Sequence, residues 1–162
     1  MRIGINLKNS ILLVGLSSLG FVIGSFISIF VADRFERKWT CAIAACLWTI
    51  CLLLIAFFPS RSLIYIFGFL ANCSASFLVP LMYIFTGETF PTRFRATAVS
   101  ITDGFGHLGG AFCGQVTFFI YFLFHNSQQS FTAAFVEIAF TGFIALVMLL
   151  FGKKRTGKKL SQ

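Results

Sequence analysis

Asp103 and His107 are the two residues whose types and spacing point most directly to chemistry. They stand four residues apart inside a long apolar stretch, so on a helix they share one face. A charge near the centre of a bilayer costs at least about 2–3 kcal/mol and normally faces a cavity or a partner. Because histidine titrates near physiological pH, the pair predicts a proton relay or a substrate contact. A structural pair bonded to a neighbouring helix remains the alternative.

Three further polar residues interrupt apolar runs. Asn72 falls near the middle of the third run, and Gln115 lies toward the far end of the fourth. Each is a candidate for the wall of a transport or proton path, or for a hydrogen bond between helices. Glu137 lies about two turns into the fifth run, from where it can still reach the membrane surface.

The elements that position these residues follow from composition. Of 162 residues, 57% are apolar and 11% are charged, whereas soluble domains run near 45–50% and about 25%. The mean hydropathy is +0.89, which excludes a water-soluble globule. Five cysteines all fall inside apolar runs without a C-x-x-C pair. They read as small apolar residues, and we expect no metal site, disulfide or cofactor.

The apolar runs are continuous rather than alternating, which favours helices over barrel strands. We therefore predict an all-α, polytopic transmembrane helix bundle with about five spans. A single bundle over residues 1–151 precedes a basic cytoplasmic tail at 152–162, and Pro80 should kink the third span. The predicted spans cover residues 11–32, 39–58, 62–86, 96–124 and 131–151.

The charge pattern gives an orientation. The net charge is +8, and the basic residues sit beside apolar runs, which excludes nucleic acid and indicates a lipid bilayer as partner. Three lie at one set of span ends: Arg2, Lys8 and Arg61. Ten lie at the other: Arg34, Arg37, Lys38, Arg93, Arg95, Lys153, Lys154, Arg155, Lys158 and Lys159. The richer set belongs in the cytoplasm, so we expect the N-terminus outside and the C-terminus inside.

Glycine spacing predicts close helix packing. Gly20 and Gly24 form one G-x-x-x-G motif, and Gly106, Gly110 and Gly114 form two in tandem, which makes one face of the fourth span nearly smooth. These faces allow helices to rock against each other, or simply to pack.

Two cytoplasmic loops carry dense charge, Asp33–Lys38 and Glu88–Arg95. Opposite charges at facing helix ends can form a lock that opens when helices move. Ordinary positive-inside charge is the alternative.

At these loops the sequence resembles the major facilitator superfamily of secondary transporters. Glu88, Pro91, Thr92 and Arg95 resemble the loop after the family's tenth helix in sugar porters and metabolite–proton symporters, and the run Gly106–Gly110 resembles its eleventh helix. The first loop resembles the motif Gly-x-x-x-Asp-Arg-x-Gly-Arg-Lys. Its matching residues are Asp33, Arg34, Arg37 and Lys38, while Ile29 and Glu36 replace the two glycines.

The resemblance implies that the chain corresponds to helices eight to twelve of a twelve-helix fold. It implies alternating access, with a cytoplasmic charge network of Asp33, Arg34, Arg37, Lys38, Glu88 and Arg95. It implies a small-molecule substrate such as a sugar or organic acid, often moved with a proton. The missing N-terminal helices, or another membrane subunit, are the implied partner.

Three classes of function compete at this point. A C-terminal fragment or split piece of a transporter in the plasma membrane is favoured. A structural or assembly protein of the membrane without transport of its own is the alternative. A membrane enzyme is not expected, because neither H-E-x-x-H nor G-x-S-x-G occurs.

Overall fold

The fold is a bundle of five α-helices joined by short connections. The computed structural model describes residues 7–32, 34–124 and 127–151. In a bilayer, a helix satisfies its own backbone hydrogen bonds, so the long apolar runs become helices and the all-α prediction is confirmed. The helices are α1 (Leu7–Val31), α2 (Arg37–Phe57), α3 (Arg61–Thr89), α4 (Arg95–Leu123) and α5 (Ser127–Phe151), with a 3-10 turn at Thr92–Phe94.

The helix boundaries depart from the predicted spans mainly at polar ends. α3 continues through Pro80 to Thr89, and α5 begins at Ser127 within the predicted outer loop. The hydropathy pattern does not show these polar helix ends, because a helix does not stop where its side chains become polar. The basic tail at 152–162 lies outside the described residues.

Four helices are long and apolar enough to cross a membrane: α1 over Ile11–Val31, α2, α3, and α5 over Gln128–Phe151. α4 was predicted as a further span, and it has the length, at 29 residues. It does not reach the same apolarity, because Asp103, His107 and five glycines lie along it. The five helices match the predicted number of spans, and α4 is the least apolar of them.

The buried core lies among α2, α3, α5 and the end of α1. One cluster contains Ala32, Cys41, Ala45, Leu81 and Leu149. A second contains Cys51, Leu52, Ala71 and Ala139. Small side chains on α2 let its neighbours approach closely, which is how dispersion holds membrane helices together.

Glycines let two pairs of helices approach closely. A Cβ at Gly24 would overlap the carbonyl group of Cys73, and one at Gly20 would overlap that of Phe69. α1 and α3 are therefore in backbone contact, and Ser76 on α3 adds hydrogen bonds to Ser25 and to the Phe21 carbonyl. On α5, a Cβ at Gly142 would lie 2.6 Å from the ring of Trp48.

α4 is held much less closely. It contributes no buried residue to the described part of the chain. It contacts α5 and α3 more sparsely than α1 contacts α3, or than α2 contacts α3 and α5. Its position rests on a few polar contacts, including Ser130 at the start of α5, whose hydroxyl donates to the Phe124 carbonyl at 3.0 Å.

Candidate functional site

A groove of about 790 Å³ runs between α3 and α4, and we call it the α3–α4 groove. Its volume falls in the range of small-molecule sites, about 300–1,000 Å³. The wall is apolar on the α3 side, apart from a hydroxyl at each of Tyr83 and Thr86, and carries the ionisable groups on the α4 side. The lining residues are Leu78, Val79, Met82, Tyr83, Thr86, Thr102, Asp103, Gly106, His107 and Gly110.

Asp103 is joined to the opposite wall of the groove by Tyr83. The Tyr83 hydroxyl donates a hydrogen bond to Oδ1 of Asp103. The carboxyl side chain is 40% exposed, and it lies ~12 Å along α4 from Arg95. Hydrogen bonds to a carboxylate are stronger than those between neutral groups, so this contact ties α3 to α4 across the groove.

His107 lies one turn further along α4 and faces the groove with 80% of its side chain exposed. Its Nδ1 lies 3.0 Å from the backbone oxygen of Asp103 and 3.6 Å from Oδ1 of the same residue. A carbonyl oxygen only accepts, so a hydrogen bond there requires Nδ1 to carry the proton. Nε2 is then the nitrogen that can accept or release a second proton.

Tyr83, Asp103 and His107 together form a polar cluster on an apolar wall. The cluster offers a hydroxyl, a carboxylate with a second oxygen, and an imidazole nitrogen that can accept or donate a proton. It can hydrogen-bond a hydroxylated or cationic small molecule, and it can exchange a proton. Nowhere in the described ranges do three or more His, Cys, Asp or Glu side chains converge to hold a metal ion.

The tandem glycines of α4 do not pack against another helix of the described chain. No described atom lies within 4 Å of a Cβ built at Gly106, Gly110 or Gly114. Gly106 and Gly110 instead line the α3–α4 groove. Within the described chain the missing side chains leave open space here, and the packing of these glycines against another helix stays a prediction.

Asn72 and Gln115 are not brought together with the polar cluster. Nδ2 of Asn72 donates to the Gly68 carbonyl of its own helix at 2.9 Å. Gln115 is exposed and lines a separate depression with Gly114, about 120° around α4 from Asp103. Both residues therefore lie apart from the α3–α4 groove, and their assignment to a path stays a prediction.

The charged loops meet at one end of the bundle. Arg37 at the start of α2 forms an ion pair with Glu88 at the end of α3, and their side chains are 13% and 33% exposed. Nε of Arg37 also donates to the Ala32 carbonyl at 3.4 Å. The ends of α1, α2 and α3 are thus joined through one guanidinium group.

Other residues of the predicted charge network lie around this ion pair. Lys38 donates to the Leu150 carbonyl of α5 at 2.8 Å, which suits a cation at a helix C-terminus. Arg95 is half buried, with its aliphatic part 3.5 Å from the position of a Cβ at Gly87. Arg34 is exposed, and Asp33 lies outside the described residues.

Comparison with known proteins assigns the fold to a family. The model of the Major Facilitator Superfamily matches residues 3–162. The chain belongs to the major facilitator superfamily. The match covers nearly the whole chain, so the family membership expected from the two charged loops is confirmed, and with it an integral membrane protein.

Individual relatives of this major facilitator chain are transporters by name. A Bacillus subtilis (strain 168) protein named for metabolite transport, YyaJ, is 26% identical over 96% of the chain and 34% of its own length. The organic cation/carnitine transporter 7 of Arabidopsis thaliana is 30% identical over 71% of the chain and 22% of its own length. The chain therefore spans about a third or less of these curated relatives.

A solved structure supports the same fold. The xylose transporter XylE from E. coli, in a partially occluded inward-open conformation, superposes with a TM-score of 0.79 at 18% identity. The match covers 88% of this chain and 38% of the XylE chain. The five helices are therefore arranged as part of a major facilitator fold.

Two features of this major facilitator chain escaped the sequence reasoning. Tyr83 stands 20 residues before Asp103, and no short motif spans the two helices. A hydroxyl-bearing residue three positions after Pro80 in an apolar run was the available signal. Gly142 stands outside any G-x-x-x-G pair, so its contact with Trp48 had no spacing to reveal it.

Proposed function

We propose that this chain supplies the C-terminal part of a secondary transporter that moves a small metabolite across the membrane, coupled to a proton. The observation that carries the proposal is the polar cluster of Tyr83, Asp103 and His107 on the apolar wall of the α3–α4 groove. Ionisable groups inside a membrane helix are costly and mark substrate or proton pathways.

The groove favours a substrate that is small and donates hydrogen bonds. Asp103 accepts hydrogen bonds, and Tyr83 and His107 can donate or accept them, which suits a hydroxylated molecule such as a sugar or a compact cation. The relatives are named for metabolites, for organic cations and carnitine, and for xylose. Organic acids fit through His107 when its imidazole is protonated.

Proton coupling is assigned to Asp103 and His107. Their 3.6 Å separation lets a proton on the imidazole be stabilised by the carboxylate. The substrate and the proton then meet at one site, so that loading one changes the charge presented to the other.

The ion pair between Arg37 and Glu88 is proposed to steady one state of the transport cycle. We place this end of the bundle, with the C-terminus, on the cytoplasmic side of the plasma membrane, because ten of the thirteen basic residues fall at the corresponding span ends in the sequence. The substrate would bind between this part and further helices, supplied by the same polypeptide or by another subunit.

The first experiment is to sequence the transcript upstream of Met1, and to express the complete reading frame in cells or, if none precedes Met1, this chain. Uptake of radiolabelled xylose and carnitine into proteoliposomes is measured together with internal pH. Substrate-driven acidification with uptake supports the proposal. Normal insertion with neither flux would favour the structural or assembly role instead.

Asp103→Asn should lower uptake at least tenfold, because the amide replaces a charged acceptor that Tyr83 and the substrate both use. Glu36→Gln, the same carboxyl-to-amide change outside the groove, should leave uptake within about twofold. Equal uptake by both variants at equal membrane abundance would contradict the role of the groove.

His107→Ala should flatten the pH dependence of uptake, because it removes the imidazole that is proposed to carry the proton. Uptake is measured at several external pH values with the internal pH fixed. A pH profile that survives the substitution would remove His107 from the proton path.

A further inference from the structure

Glu137 is an ionisable residue inside the bundle that the proposed transport site does not use. It lies on α5 and is half buried, about 15 Å along the helix from Ser127. A carboxyl group at such depth is costly unless its oxygens find donors.

Both of its oxygens are engaged by a single turn of α4. The Thr117 hydroxyl donates to Oε2 at 2.7 Å, and the Cys113 thiol lies 3.4 Å from Oε1. The Thr117 hydroxyl also lies 2.9 Å from the backbone oxygen of Cys113. Glu137 therefore contacts one side of α4 at two positions that are one helical turn apart.

These two contacts are important because apolar packing does not fix the rotation of α4 about its axis. None of its side chains is buried in the described part of the chain, and its glycine face meets open space. Thr117 and Cys113 lie about 40° and 80° around the helix from Asp103. A contact at these two positions therefore defines the direction in which Asp103 and His107 point.

We propose that Glu137 is a positioning residue that fixes the rotation of α4 about its axis and so keeps Asp103 and His107 facing the α3–α4 groove. The role of that groove rests on the proposed transport function, whereas the contact between α4 and α5 does not. The two can therefore fail separately.

The contact is tested with Cys113 as a native reporter in the reconstituted protein. Glu137→Ala and Thr117→Val should each raise the rate of Cys113 alkylation by N-ethylmaleimide about tenfold, as the charge-assisted contact is lost. Glu137→Gln keeps an acceptor oxygen for Thr117 and should stay within about threefold of the parent. Alkylation is followed at the Cys113 peptide by mass spectrometry.

Two controls separate loss of the contact from loss of the fold. Thr141→Val removes a hydroxyl of α5 that bonds the Ile138 carbonyl of its own helix, and it should leave Cys113 unchanged. Cys41 and Cys51 are buried in the core and should stay unreactive in every folded variant. If Cys41 or Cys51 becomes reactive in Glu137→Ala, that variant has lost its fold. Thr117→Val, which alters the same contact from the α4 side, then decides the result.

The rotation is tested with cysteines on two flanks of α4. Gly110→Cys reports the groove, where a Cβ meets no described atom beyond its own helix backbone within 4 Å, and Gln115→Cys reports the flank about 140° away. A membrane-impermeant maleimide should label the first faster than the second. Adding Glu137→Ala should bring the ratio of the two rates toward one, and adding Glu137→Gln should preserve it.

An unchanged labelling ratio in folded Glu137→Ala protein would overturn the positioning role, even if Cys113 becomes reactive. Unchanged Cys113 reactivity would overturn the contact itself. Neither result depends on uptake, so a protein that transports nothing would end the proposed function while these measurements still decide the inference about Glu137.

Discussion

Two glycine faces with the same spacing have opposite surroundings. The face of α1 packs against α3, and the face of α4 stays open. Gly20 and Gly24 press α1 onto the backbone of α3, so that no side chain fits between them. Gly106 and Gly110 have the same spacing, and no described atom lies within 4 Å of their Cβ positions. There the two glycines line the α3–α4 groove, and no side chain of theirs fills it.

The difference teaches that a G-x-x-x-G motif specifies a smooth strip and not its partner. A strip that meets another helix becomes a close contact through dispersion. A strip that meets no described helix leaves open space, which here lies beside ionisable groups. A hydrogen bond accompanies each strip. The bond between Ser76 of α3 and Ser25 of α1 lies within the close contact, whereas the bond from Tyr83 to Asp103 spans the groove.

The largest effect should come from leucine at the two kinds of glycine. Gly24→Leu forces α1 away from α3 and should remove folded protein from the membrane. Gly110→Leu has room for its side chain, so abundance should persist while the filled groove loses at least tenfold in uptake. Abundance is read by quantitative blotting of membranes, and uptake by tracer flux.

The comparison breaks if the two leucine variants behave alike. Normal abundance of Gly24→Leu would mean that α1 is not packed on α3 in the membrane. Loss of Gly110→Leu from the membrane would mean that another helix occupies the groove.

Alanine at the same positions should give a smaller contrast with opposite signs. Gly24→Ala should destabilise the protein by about 1–3 kcal/mol through overpacking. Gly110→Ala should stabilise it by up to about 1 kcal/mol, because alanine favours the helix and meets no obstacle. Thermal unfolding in detergent measures both, and a lower midpoint for Gly110→Ala would contradict the open face.

The smallest effect should come from serines on α1. Ser25→Ala removes a hydroxyl bonded to Ser76 on the facing helix and should cost about 1 kcal/mol. Ser18→Ala removes an exposed hydroxyl that bonds the Val14 carbonyl of its own helix, and it should cost almost nothing. Equal midpoints of thermal unfolding would argue that the Ser25 contact is not formed in the membrane.

Much of the fold followed from the sequence because the bilayer leaves few choices. Continuous apolar runs become helices, and their number and order were correctly predicted. The ends of α3 and α5 were not, since polar residues such as Thr89 and Ser127 extend a helix beyond its apolar part.

The site was predicted only where it is local. Asp103 and His107 lie on one helix, and a spacing of four residues brings them together. Their partner Tyr83 comes from α3, and the contact depends on how two helices are aligned, which no local pattern encodes. The amide of Asn72 donates to the Gly68 carbonyl of its own helix, and nothing in the sequence distinguishes this bond from one to a neighbouring helix.

The contact of Gly142 with Trp48 gives this chain an optical reporter of its own. The chain has two tryptophans, and Trp39 is exposed near the charged end, while the ring of Trp48 rests against the backbone of α5. Emission from Trp48 should therefore respond to separation of α2 from α5, and emission from Trp39 to the lipid headgroups. With Trp39→Phe, fluorescence alone can follow whether the core moves when α4 does.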